Sequence, residues 1–196
     1  MRADFTLYTP EYISGVMSLR KPQKKSLEIL DIIVNSVNLK KGMNLQAVLG
    51  AVKALYPTCT DFERDFMSLT FALATGVGKT RLMGAFIAYL YTQHNIKNFF
   101  VVAPNTTIYN KLCRDLNDNN SPKYVFRGLS CFVNAPQVIT GEDYRSKPLS
   151  LFQSEVRIFV FNISKFDKEN ANMKKVNEYY GDSFFETLAK LPDLVM

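Results

Sequence analysis

The stretch FALATGVGKTRLMGAFIAYL, Phe71 to Leu90, decides how this chain is read. An apolar run, FMSLTFALA from Phe66 to Ala74, leads into two glycines. A run with Leu82, Met83, Phe86, Ile87 and Leu90 on one side follows. The short apolar segment ending at a glycine turn predicts a buried parallel strand. The spacing of three and four after it predicts a helix beginning at Lys79.

Between strand and helix, Gly76 and Gly78 permit backbone conformations that a side chain forbids, so successive N–H groups can converge on an anion. In such a phosphate-binding loop Lys79 would reach the β- and γ-phosphates of a nucleotide. Thr80 would ligate Mg²⁺ through its hydroxyl, and the helix would add the positive end of its dipole. Thr75, Val77 and Arg81 complete the candidate contacts. The general pattern has glycine where this chain has Leu73. At average glycine usage a Gly-x-Gly-Lys-Ser/Thr arises by chance in roughly one chain of this length in a hundred, so the match is specific, and its strand and helix context is the required one.

Outward from the loop, NFFVVAP reads as a strand and TTIYNKLCRDLN as a helix. Strand candidates follow at Tyr124 to Phe126, Ser130 to Asn134 and Gln137 to Thr140. VRIFVFNI is a stronger one. MKKVNEYYGDSFFETLAKL reads as largely helical with a break at Gly181, and PDLVM as the start of a further buried strand. Upstream, residues 1 to 21 read as an arm or loop. PQKKSLEILDIIVNSV has helical spacing with Pro22 in its first turn, and MNLQAVLGAVKALY is a second helix stopped by Pro57. Strands alternating with helices predict an α/β fold, a mostly parallel sheet with helices on both faces, preceded by an N-terminal helical segment. The division expected is 1–65 for arm and helices and 66–196 for the α/β domain.

The chain of 196 residues is 47% hydrophobic, enough for a real core. Its 24 Lys and Arg against 18 Asp and Glu leave a net charge of +6, compatible with a polyanionic partner. Three widely spaced cysteines and one histidine carry no zinc or disulfide framework. The N-terminus lacks an apolar signal-peptide core, and no run approaches the roughly 18 apolar residues of a membrane span. The expected location is the cytoplasm, without a membrane partner.

Several motifs fall in a telling order. RKPQKKSLEIL places Gln23 upstream of the loop, after Arg20 and Pro22. FFVVAPNTTIYNKL places Pro104, Asn105, Thr106 and Thr107 between a strand and a helix, where hydroxyl and amide donors can grip phosphate without reading bases. VRIFVFNISKF ends a strand in Asn162, Ser164 and Lys165, and VITGEDY offers Thr140 and Gly141. Glutamine motif, ATGVGKT, APNTT and FNISKF together resemble the first RecA-like motor domain of a superfamily 2 helicase. Within it they resemble most the ATP-dependent (Res) subunit of type III restriction enzymes. The resemblance covers about Leu19 to Met196, with residues 43 to 56 poorly matched.

What the resemblance implies is an ATP-binding P-loop NTPase with Mg²⁺, in which Gln23 recognises adenine. It implies that Pro104, Asn105, Thr106, Thr107, Asn162, Ser164 and Lys165 touch a nucleic-acid strand. It further implies duplex DNA as track, a second RecA-like lobe, a nuclease domain and a methyltransferase or specificity subunit as partners. In that family an apolar strand runs into Asp-Glu-x-His. Here LPDLVM supplies the strand, and Asp193 precedes the apolar triplet instead of following it. The chain is therefore expected to be a fragment that binds ATP and hydrolyses little of it alone. Two other readings stay open at this point: a self-contained P-loop kinase or phosphotransferase, and a non-catalytic nucleotide- or DNA-binding module.

Overall fold

A computed structural model describes residues 7–37, 39–144, 156–165 and 183–196. Six α-helices are named in chain order: α1 Pro10–Val16, α2 Lys21–Ser36, α3 Leu45–Leu55, α4 Lys79–His94, α5 Thr106–Asn117 and α6 Phe184–Ala189. The strands are β1 Asn98–Ala103, β2 Gln137–Thr140, β3 Arg157–Asn162 and β4 Leu194–Val195. They form one sheet in the order β2-β3-β1-β4, every pair parallel.

Strand alternation distributes the core over both faces. In β3, Ile158 and Val160 join α1, α2, α4 and α5 in the larger cluster, whereas Phe159 and Phe161 turn to the other face with Phe100, Ile139 and Leu188 of α6. Burial on two faces explains why RIFVFN reads as a continuous apolar run. Helices α1 and α2 contribute Ile13, Leu27, Leu30 and Val34 to the same cluster as the sheet, while α3 packs Val48 and Val52 on Ile33 and Phe62 in a smaller one.

Local chemistry sets the helix ends. Thr9 caps α1, its hydroxyl accepting from Tyr12 N, with Pro10 in the first turn. Asn105 caps α5 by accepting from Ile108 N at 2.9 Å. Helix α4 ends on Asn95 in the left-handed region, with φ 54, and Ile96 N donates back to Leu90 O.

Three expectations are corrected. The arm contains α1, whose seven residues are too few to display a clear period. Segment Phe66–Ala74 is not a strand: Leu69 and Phe71 pack inward, and the Phe71 ring lies 4.8 Å from that of Phe86, but the segment joins no ladder. Its alternation supplies one packing face, and pairing needs a partner that β4, two residues long, does not provide. Tyr124–Phe126 and Ser130–Asn134 form turns and a short 3₁₀ helix at Ser130–Phe132. Their aromatic residues are buried by stacking, with the Phe126 and Phe132 rings 4.1 Å apart, instead of by sheet pairing. The whole of MKKVNEYY, with Gly181 and its expected break, lies outside the described residues.

Candidate nucleotide-binding site

The loop before α4 has the backbone its sequence requires. Ala74 to Val77 form a turn closed by Val77 N on Ala74 O at 3.4 Å, with Gly76 at φ +79 in the third position, where a positive φ is needed. Gly78 follows at φ +98 and is the N-cap of α4. Its carbonyl accepts the first helical bonds, from Arg81 N at 3.0 Å and Leu82 N at 3.1 Å.

The N–H groups of Gly78, Lys79 and Thr80 meet no acceptor among the described residues, and they stand at the positive end of a helix of 16 residues. Lys79 is exposed, and it makes no hydrogen bond or ion pair among the described residues. Free donors, an exposed cation and the hydroxyl of the partly exposed Thr80 fit a polyphosphate with a hard cation. Thr75 is exposed and Val77 partly so. Arg81 points elsewhere, its guanidinium donating to Met17 O at the end of α1 at 2.9 Å.

Gln23 and Arg20 approach the loop from α2. Gln23 is 1% exposed; it donates through Nε2 to Gly78 O at 2.8 Å and accepts from Arg20 N through Oε1 at 2.7 Å. Arg20 donates through its guanidinium to Gly76 O at 3.1 Å. In the sequence Arg20 stands out as a neighbour of Gln23 and as part of a basic cluster suited to a phosphate backbone, not as a contact of the loop. Its position three residues before a buried helix-start glutamine was the available signal.

A second group of polar loops lies along the sheet edge where the strands end. Helix α4 is about 24 Å long and leads through a short connection into the start of β1, so its N-terminus lies at the strands' C-terminal edge. In open parallel sheets this edge is the ligand edge. Register pairs Ala103 with Asn162 there, and Asn162 Nδ2 donates to Thr106 Oγ1 at 3.2 Å. Asn162 is 7% exposed, and its Oδ1 accepts from Ser164 N. Pro104, Asn105, Thr106 and Thr107 are exposed beside it, and Lys165 ends the following 3₁₀ turn. On the far side of β3, Asp143 closes the Thr140 loop by accepting from Thr140 N and Oγ1 at 2.6 and 2.8 Å. Glu142 of that loop accepts from Tyr109 of α5.

Asp193 stands at the opposite edge. Its carboxylate accepts from Lys97 N at 2.6 Å and from the Asn98 amide, closing the start of β1 against β4. It is thus a structural cap, remote in topology from the loop. Two clefts, of about 530 Å³ along Asp61–Phe66 and about 340 Å³ along Asn119–Val133, include no residue of the loop. Among the described residues no helix is long and apolar enough to cross a membrane, and no cluster of metal-ligating side chains occurs.

A family model described as type III restriction enzyme, res subunit, matches residues 16–188. Neither the curated proteins nor the solved structures contain a match. The matched span runs from the end of α1 into α6 and includes both the loop and the edge opposite Asp193. The chain therefore belongs to the type III restriction enzyme res subunit family, as its RecA-like, helicase-like ATPase domain.

Proposed function

We propose that this chain is the ATP-binding first motor lobe of an ATP-dependent DNA helicase or translocase, the Res subunit of a type III restriction system. Residues 66–196 are assigned to the lobe and 1–65 to an N-terminal arm and helices, of which α1 and α2 share a core with the sheet. The observation that carries the reading is the loop itself: two glycines at positive φ, three N–H groups that meet no acceptor among the described residues, and an exposed Lys79 at the N-terminus of α4.

Bound Mg-ATP supplies the phosphoanhydride whose cleavage drives movement. The chain's residues do the holding. The N–H groups of Gly78, Lys79 and Thr80, with Thr75 and Val77 beside them, cradle the phosphate oxygens. Lys79 balances their charge, and the Thr80 hydroxyl faces the cation. Along the same edge Pro104, Asn105, Thr106, Thr107, Asn162, Ser164 and Lys165 line a track for the DNA backbone. Asn162 and Thr106 lock two of its loops together. Contacts of this kind, to phosphate and not to bases, suit a motor that must run over any sequence. A second lobe, a nuclease domain and a methyltransferase subunit complete the enzyme in this proposal.

Titrating Mg-ATP against wild type and Lys79→Ala tests the loop. The variant should bind at least tenfold more weakly, and equal binding by both proteins would remove the phosphate role.

A further inference from the structure

Helix α5 leaves the proposed DNA edge at Thr106, where the Asn162 amide holds it. Tyr109, Leu112 and Leu116 bury its inner side. On the outer side Thr107, Asn110, Lys111, Arg114 and Asn117 are all exposed. Their spacing of three and four residues sets them in one stripe about 15 Å long. No exposed position of the helix is acidic.

The acids nearby are buried or occupied. Asp115 is 4% exposed, and its carboxylate accepts from Arg114 Nε at 3.3 Å, which leaves the two terminal amino groups of that guanidinium without a partner among the described residues. Glu142 approaches from the Thr140 loop but accepts from the Tyr109 hydroxyl on the inner side, and Asp143 of that loop is held by Thr140. Asp118 lies past the last turn and accepts from Asn120 N. Lys111 enters no ion pair among the described residues. The basic cluster of α2 differs: Lys24 and Lys25 both reach Glu28, at 3.9 and 3.8 Å, so that face neutralises itself. The stripe of α5 instead offers a phosphate backbone two cations, three uncharged hydrogen-bonding side chains and no like charge to repel it. Its length runs beside about four phosphates of one strand.

We propose that the outer stripe of α5 is a second docking surface for duplex DNA, which takes the phosphate backbone on Lys111 and Arg114 beyond the Pro104–Thr107 loop. The assignment rests on the DNA reading above and extends its track along the helix.

The experiment titrates a fluorescently labelled blunt duplex with the full chain over a series of salt concentrations, read by anisotropy. The variants are Lys111→Gln, Arg114→Gln, the two combined, Arg114→Lys, Lys165→Gln and Lys25→Gln. Melting temperatures and unchanged Mg-ATP binding report an intact fold. Lys111→Gln and Arg114→Gln should each weaken the duplex roughly two- to fivefold. Combined, they should lower the slope of log affinity against log salt by about 1.8, the share of two phosphate contacts. Arg114→Lys, which keeps the cation, should bind close to wild type. Lys25→Gln, whose charge Glu28 already meets, should leave affinity and slope unchanged. A loss in Lys25→Gln equal to that in Lys111→Gln would mean that net charge alone is read, and would overturn the assignment. Stripe variants that bind as wild type does would overturn it too, and a weakened Lys165→Gln beside them would leave the DNA edge standing. If Arg114→Gln, which strands the buried Asp115, does not fold, the exposed Lys111→Gln decides. Failure of wild type to bind the duplex at any salt would sink the DNA reading, and the stripe with it.

Discussion

Alanine at the two loop glycines should have unequal costs, and the difference can be worked from the structure. At Gly76, φ is +79 and a Cβ meets nothing within 4 Å, so Gly76→Ala carries backbone strain alone, about 1.5 kcal/mol. At Gly78, φ is +98 and the Cβ would lie 2.8 Å from Gln23 Nε2. The amide must withdraw and lose its bond to Gly78 O, which leaves a buried donor unpaired at a further cost of about 2 kcal/mol. With about 3 °C per kcal/mol for a chain of this size, Tm should fall by about 5 °C for Gly76→Ala and about 10 °C for Gly78→Ala. Pairing Gly78→Ala with Gln23→Ala removes the clash, so the double variant should be about 2 kcal/mol better than the sum of the singles. Thermal melts of the four proteins check this. Equal losses at the two glycines, or simple additivity with Gln23→Ala, would refute the reasoning.

Two further predictions concern the core. Gly84 sits in α4 where a Cβ would come 1.9 Å from Val125 Cγ1, and Val125 is pinned by its N–H on Asp115 O at 2.8 Å. Overpacking should cost Gly84→Ala about 2–3 kcal/mol, offset by about 1 kcal/mol of helix propensity. The urea midpoint should therefore drop, and Val125→Ala added to it should recover most of the loss. A raised midpoint for Gly84→Ala alone would contradict the packing. Burial pushes the thiols of Cys113 and Cys131 from the ordinary 9.0 up to about 11. The native chain keeps protons that the unfolded chain has released, so their stabilisation is complete below pH 9 and is lost as pH rises toward 11. Urea midpoints at pH 8 and pH 10 should show the decline, flattened in a Cys113→Ala/Cys131→Ala variant. An undiminished slope in that variant would assign the decline elsewhere.

The parts legible in sequence are those whose causes are local. The periods of α2 to α5 follow from three- and four-residue spacing, and Asn105 caps α5 from within its own turn. The Gly76/Gly78 pair announces its positive φ because no other residue takes it cheaply. β1, β2, β3 and β4 were all located by their apolar runs. Failure came where a pattern has two physical outcomes. Phe66–Ala74 is the short apolar run of a buried strand, and Tyr124–Phe126 and Ser130–Asn134 read as strand candidates. Each was satisfied by packing one face on a core without a ladder.

The phosphate loop ahead of α4, the alternation of strands and helices that makes the sheet parallel, and the family that the match over residues 16–188 bears out were all readable from the order of residues. The strand order, the lock between Asn162 and Thr106, and the placement of Asp193 at the far edge emerge with the packed fold. So does the burial of Gln23, 55 residues before Gly78, against the loop it accompanies. The physical reason is range: glycine dihedrals, caps and helical periods are properties of a few consecutive residues. Which carbonyl receives a side-chain amide depends on how α2 packs across α4, and that is set by the whole core at once.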